Sequence, residues 1–249
     1  MSTASTRVTR GKVLLAMQLA RLRTAWRPYL IVSSAMPLGI ALLMRAIMDR
    51  AQVAEFGEQI VAGCAVLAIA MTAIVMLAQR VAALKESGGL DFYATLPVSR
   101  AALVLSVLIS FSVFALPGML IVLAGGAALF DLSFAALWSA LPVWFAGSIA
   151  LAGIGVALGF VAPDEQLAGM YSNLAMMVVL FLGIIPTEKL PEVFGTIRVA
   201  LPSTYAVDAL KPGLSGTIAA SQAWDVTVLL AFGALSFWAI AGPLWPRSE

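Results

Sequence analysis

The sequence predicts an all-α polytopic membrane protein with six transmembrane helices. Three observations predict it. Hydrophobic residues fill 61% of the 249 positions, charged residues fill 11%, and mean hydropathy is +0.99. A soluble domain carries about 25% charged residues, so a water-facing surface cannot be assembled from this composition. Six apolar runs approach or exceed the roughly 20 residues needed to cross the hydrocarbon layer. Basic residues are also divided unequally between the alternate connections joining those runs.

The runs are Pro28 to Ile47, Gln59 to Ala78, Ala101 to Leu129, Phe134 to Val161, Gly169 to Ile185 and Val226 to Trp245. The third and fourth exceed the minimum length, which implies tilt or extension past the bilayer. Each contains a proline, Pro117 or Pro142, expected to bend its helix where a backbone hydrogen bond is lost. The first run is too long for a signal-peptide core and follows a long basic leader, so it is expected to stay in the mature protein.

Orientation follows from lysine and arginine. Arg7, Arg10, Lys12, Arg21, Arg23, Arg27, Arg80, Lys85, Arg100 and Arg247 fall on one side. Arg45, Arg50, Lys189, Arg198 and Lys211 fall on the other, half as many. Both termini are therefore expected in the cytoplasm. Arginine outnumbers lysine eleven to four and alanine is abundant, which points to a GC-rich bacterial source and hence to the plasma membrane.

Three segments do not span. In residues 12–27, Leu15, Leu19, Leu22 and Trp26 make one helical stripe, with Arg21, Arg23 and Arg27 off it. This pattern fits an amphipathic helix on the inner leaflet, or ordinary basic flanking without a defined helix. Residues 84–100 hold a short candidate helix, begun by Ser87 as its cap and ended by Pro97. Leu90, Tyr93 and Ala94 share one face of it, and Phe92 and Leu96 another. Such faces either meet a partner groove or fold back on the bundle. Residues 187–224 are too polar to span. Val193, Phe194, Ile197 and Leu201 line one helical face, and Ser203 is a candidate cap for a helix from Thr204 to Leu210 ahead of Pro212-Gly213. Two short helices dipping into the outer leaflet, or a loop packed over the bundle, both fit.

Several chemistries are missing. Histidine is absent and Cys64 is the single cysteine, which excludes an internal disulfide and gives no zinc spacing. No Gly-rich loop ends in Lys-Ser or Lys-Thr, so no nucleotide site is legible. None of the six runs has an ionisable residue near its midpoint, where proton-coupled pumps keep one. Asn173 is a polar exception in the fifth run, able to bond across helices. Met36, Met44, Met176, Met177, Phe111, Phe114, Met119 and Phe181 offer an adaptable apolar surface, or ordinary packing. Gly155 and Gly159, four apart in the fourth run, should admit another helix of the same subunit closely.

The order of these parts resembles the ABC-2 permease family, the daunorubicin-type exporter permeases. Two stretches carry the likeness. Glu86-Ser-Gly-Gly-Leu-Asp-Phe-Tyr-Ala-Thr-Leu-Pro-Val-Ser-Arg100 is similar to the family's coupling segment. Leu158-Gly-Phe, Asn173, Ile185-Pro186, Leu190-Pro191 and Leu201-Pro-Ser-Thr-Tyr205 are similar to its fifth span and re-entrant part. The resemblance implies a single permease domain over residues 1–249, with an N-terminal amphipathic helix, a cytoplasmic coupling helix and re-entrant extracellular helices. It implies ATPase-coupling roles for Glu86, Gly89, Leu90, Asp91, Tyr93, Leu96, Pro97 and Arg100. It places Leu15, Leu19, Arg21, Leu22, Arg23 and Trp26 on the interfacial helix. It makes Met36, Met44, Asn173, Met177 and Phe181 candidates for a dimer interface or translocation path, and puts Pro186, Pro191, Pro202 and Tyr205 in the re-entrant segment.

By the same resemblance the chain is a non-catalytic subunit with no cofactor of its own; ATP and Mg would be bound by two partner ATPase subunits. A second permease subunit, identical or homologous, membrane lipid and a hydrophobic cargo complete the expected partners, with no nucleic acid. The cargo would be a drug, antibiotic or lipid leaving the cytoplasm or inner leaflet. An ATP-independent transporter or channel is the alternative reading, and a membrane scaffold or enzyme the third.

Overall fold

In the computed structural model, residues 27, 28, 30–89, 100–133, 137–184, 198, 200–217 and 220–241 are described. Among them the secondary structure is helical, with no strand. Helix α1 covers Leu30–Ile47. Asp49 then starts α2 (Arg50–Ala70) with a reciprocal capping box. Its carboxylate accepts from the Gln52 N–H at 2.8 Å, and the Gln52 side chain accepts from the Asp49 N–H at 3.2 Å. A π-helical turn, Met71–Met76, joins α2 to α3 (Leu77–Glu86) without a break.

The second expected span is therefore the middle of a continuous 37-residue helix, Arg50–Glu86. At 1.5 Å per residue it is roughly 55 Å long, well beyond the hydrocarbon thickness. It is also the central helix of the bundle. Every residue from Gln59 to Ile74 is buried, because its neighbours surround it.

Helix α4 (Arg100–Leu129) matches the third expected span and continues through Pro117. It ends in a Schellman-type turn in which the Leu132 N–H donates to the Ala127 carbonyl at 2.9 Å. Asp131, with φ +56°, takes the left-handed position that glycine usually holds there. After a 3-10 turn, Leu137–Ser139, α5 runs from Ala140 to Val161. The fourth span therefore begins at Ala140, not Phe134. Pro142 falls in its first turn, where an N–H has no intrahelical partner to lose. The bend expected there has no broken hydrogen bond to cause it.

Helix α6 (Glu165–Ile184) occupies the place of the fifth expected span, α7 comprises Pro202–Leu214, and α8 comprises Ala220–Ala241. Five helices are long and apolar enough to cross a membrane among the described residues: Leu30–Ile47, Arg50–Glu86, Leu105–Leu129, Ala140–Val161 and Ala220–Trp238. The chain is a multi-pass membrane protein. Helix α6, 20 residues long, overlaps the fifth expected span and is not among these five.

Glycine sets how closely α5 meets the central helix. A β-carbon on Gly155 would collide with the Ala73 carbonyl oxygen and lie 2.9 Å from that of Ile74. One on Gly159 would lie 2.6 Å from the Ala78 carbonyl oxygen. The two glycines thus seat α5 on the backbone of the π-helical turn and α3, the intrasubunit approach their spacing predicts. Pro117, in α4, cannot donate to the carbonyl four residues before it. The neighbouring Ser112 carbonyl accepts the Trp144 indole N–H at 2.8 Å, and the Ser148 and Ser112 hydroxyls meet at 2.8 Å. These bonds tie α4 to α5 inside an otherwise apolar region.

Candidate functional site

Two places in the bundle concentrate polar chemistry, one at each end of the long central helix. The first is where α3 ends. Ser87 closes α3, and the chain is helical again at Gly89. Its N–H and its hydroxyl both donate to the Ala83 carbonyl, at 3.0 and 2.7 Å, and Gly88 turns the chain at φ +68°.

Immediately before this turn, the Lys85 ammonium donates to the carbonyls of Phe160 and Ala162, at 2.9 and 3.0 Å. These lie at the C-terminal end of α5, where carbonyls lack intrahelical donors. A carboxylate oxygen of Glu86 accepts from the Glu165 N–H at 3.4 Å, at the first residue of α6. Asp164 caps the same helix, accepting from the Leu167 N–H at 2.8 Å. The signs suit the helix ends, a cation on carbonyls and carboxylates on amides. Ala82, Ala162 and Ala168, with Leu167 against them, form a small apolar cluster beside these contacts.

The second place is α7. Although its segment is polar, α7 buries Pro202, Ser203, Thr204, Ala206, Val207, Ala209, Leu210, Gly213 and Leu214. It packs against α2, α5, α6 and α8. Pro202 is its first residue, as suits a ring that lacks an N–H, and Leu201 precedes it without a side-chain cap. Ser203 is therefore not the cap expected from the sequence. Its hydroxyl and that of Thr204 are buried without a hydrogen-bond partner. Pro212 does not end α7 either; the helix continues to Leu214, whose carbonyl accepts the Ser133 N–H at 3.1 Å. Tyr205 lies against Phe232 of α8, with ring centroids 6.2 Å apart.

On α7, Asp208 faces two cations. Lys211 donates to it at 2.7 Å, and the buried Arg198 guanidinium lies 3.4 Å away. Asp225, near the start of α8, is close enough to Asp208 and Lys211 to interact with both electrostatically. In the sequence Arg198 and Lys211 read only as loop charges. The ion-pair cluster is not legible there because Arg198 and Asp208 are ten residues apart across a proline boundary.

The remaining expected residues divide clearly. On α6, Asn173, Met177 and Phe181 are exposed along one stripe, and Met36 is exposed on α1. Met44 is separate from them, half-buried against the apolar core. Gly89 is helical and half-buried, and Arg100 begins α4. Leu90, Asp91, Tyr93, Leu96, Pro97, Leu15, Leu19, Arg21, Leu22, Arg23, Trp26, Pro186 and Pro191 lie outside the described residues.

The family profile described as "ABC-2 family transporter protein" matches residues 18–241. The chain belongs to the ABC-2 transporter family. Two curated relatives, both named "Nodulation protein J", share shorter stretches with this ABC-2 chain. The protein from Rhizobium leguminosarum bv. viciae is 29% identical over 104 residues, 41% of this chain and 40% of the relative. That from R. leguminosarum bv. trifolii is 32% identical over 79 residues, 31% of this chain and 30% of the relative. The matches thus span less than half the length of either relative.

Proposed function

We propose that the chain is the transmembrane permease subunit of an ATP-driven exporter, moving an amphipathic or hydrophobic molecule out of the cytoplasm or the inner leaflet. The observation that carries this reading is the family match over residues 18–241. Physical chemistry supports it. The long apolar helices keep their ionisable residues toward their ends, which suits an amphipathic cargo better than a small ion needing ligands. Drugs, antibiotics and lipids fit that description.

Energy then enters from a separate cytoplasmic ATPase, two copies per transporter, docking on residues 84–100 through Leu90 and its neighbours. The end bearing Lys85 and Asp164 faces the cytoplasm in this reading, and α7 closes the opposite end as a re-entrant helix. The exposed faces of α1 and α6, with Met36, Asn173, Met177 and Phe181, meet a second permease subunit.

Co-purification from the native membrane tests the reading. The chain is expected to bring down a soluble ATPase, and Leu90→Asp to remove that ATPase while membrane insertion persists. Retention of the ATPase by Leu90→Asp would contradict the docking role. A second reading, ATP-independent transport, is favoured by one feature, the Asp208 carboxylate on a buried helix. Efflux by the chain alone under a proton gradient, lost in Asp208→Asn, would support it.

A further inference from the structure

The turn between α5 and α6 is short and held from a single place. Val161 ends α5 and Glu165 begins α6. Consecutive residues on a helix point about 100° apart, so Lys85 and Glu86 can reach two different helices from one turn of α3. They do so. Lys85 grips the last carbonyls of α5, and Glu86 takes the first amide of α6.

Gly159 seats α5 against Ala78 and Val81, and Ala82 of α3 and Ala162 at the end of α5 share a buried cluster with Ala168 of α6. Immediately beyond Glu86 the chain leaves α3 through Ser87 and the left-handed Gly88. A displacement of the segment after Gly88 therefore reaches Lys85 and Glu86 before any other residue of α3. A charged side chain hydrogen-bonded to two carbonyls holds them more strongly and directionally than an apolar contact that slides.

We infer that Lys85 and Glu86 are positioning residues that carry motion of the ATPase-docking segment into α5 and α6. The inference rests on the proposed exporter reading and adds to it the route by which docking moves the spans. Lys85 is the main element, having two short bonds where Glu86 has one long one.

The test is hydrogen exchange on the intact complex of this chain with its co-purified ATPase in lipid nanodiscs. Exchange is compared without nucleotide and with the ATPase trapped by ATP and vanadate. In the natural protein, trapping is expected to change amide exchange about threefold or more both in residues 87–99 and in residues 158–170. In Lys85→Met the change at 87–99 remains and the change at 158–170 is lost; Lys85→Arg restores it. Lys85→Gln, milder and still able to donate, gives a partial loss and serves if the Met variant does not assemble.

A purely structural role would alter exchange at 158–170 without nucleotide yet leave the nucleotide-induced difference in place. That result overturns the inference, as does a natural complex that responds at 87–99 but not at 158–170. Absence of any response at 87–99 in the natural complex would instead contradict the exporter reading itself.

Discussion

Replacing Gly155 by alanine is the sharpest perturbation of the bundle. In an open helical position, Gly→Ala stabilises by up to about 1 kcal/mol, because glycine loses more freedom on folding. At Gly155 the added carbon meets backbone from the π-helical turn: the carbonyl oxygens of Ala73 and Ile74, and the Ile74 α-carbon at 3.0 Å. Backbone cannot rotate aside as a side-chain tip can, so the penalty belongs at the upper end of overpacking, about 3 kcal/mol. The net loss is about 2 kcal/mol.

Gly147, on the same helix, is the control. A β-carbon there would meet only the Ala206 β-carbon at an ordinary 3.6 Å. Gly147→Ala should therefore be neutral or stabilising, and the two variants should differ by about 2–3 kcal/mol. For a chain of this length that is a Tm difference of roughly 4–12 °C.

The protein carries its own reporter. Cys64 is the single cysteine and is fully buried in α2, so a thiol-reactive fluorophore labels it only as the bundle opens on heating in detergent. Equal melting temperatures for Gly155→Ala and Gly147→Ala would refute the close backbone approach of α5 to the central helix.

Two further predictions concern the charged groups and the orientation. Asp208→Asn removes the carboxylate of α7 that pairs with the buried Arg198 guanidinium. Because Asp208 itself is partly exposed, the expected loss is about 1–3 kcal/mol, below that for a fully buried pair. It should be read as faster hydrogen exchange across 202–214 than in the natural protein, and unchanged exchange there would dismiss the ion pair as a tether. In a Cys64→Ala background, Glu55→Cys, on the exposed first turns of α2, should react with an impermeant maleimide on intact cells. Ser87→Cys, exposed at the far end of the same long helix, should react only after permeabilisation; the reverse pattern would invert the topology.

What could be read from the sequence was whatever depends on local composition. Helices α4 and α8 overlap the third and sixth expected spans, since an unbroken apolar run has few other fates in a membrane protein. The Gly155–Gly159 spacing likewise identified a close contact within the subunit.

Local preference failed where tertiary packing decided. Ser87 and Ser203 are favourable N-cap residues, but a hydroxyl can equally bond back to its own helix. Ser87 does so, and Pro202 preempts Ser203 at the start of α7. The second expected span begins only at Gln59, whereas a capping box at Asp49 starts the helix at Arg50 and carries it through Glu55 and Glu58. The burial of α7 was illegible because its neighbours come from α2, α5, α6 and α8, distant in sequence. Lys85 appeared only as a topology charge, because its carbonyl partners are 75 and 77 residues away.

In the proposed exporter, movement of cargo is powered through a docked ATPase. Proteoliposomes test it directly, made either with the isolated chain or with its complex with the co-purified ATPase, and loaded with the amphipathic dye Hoechst 33342 or a short-chain fluorescent phospholipid. Vectorial movement of a probe is expected only with the complex and only with hydrolysable ATP. Sustained uphill movement by the isolated chain under a proton or ion gradient, without nucleotide, would contradict it.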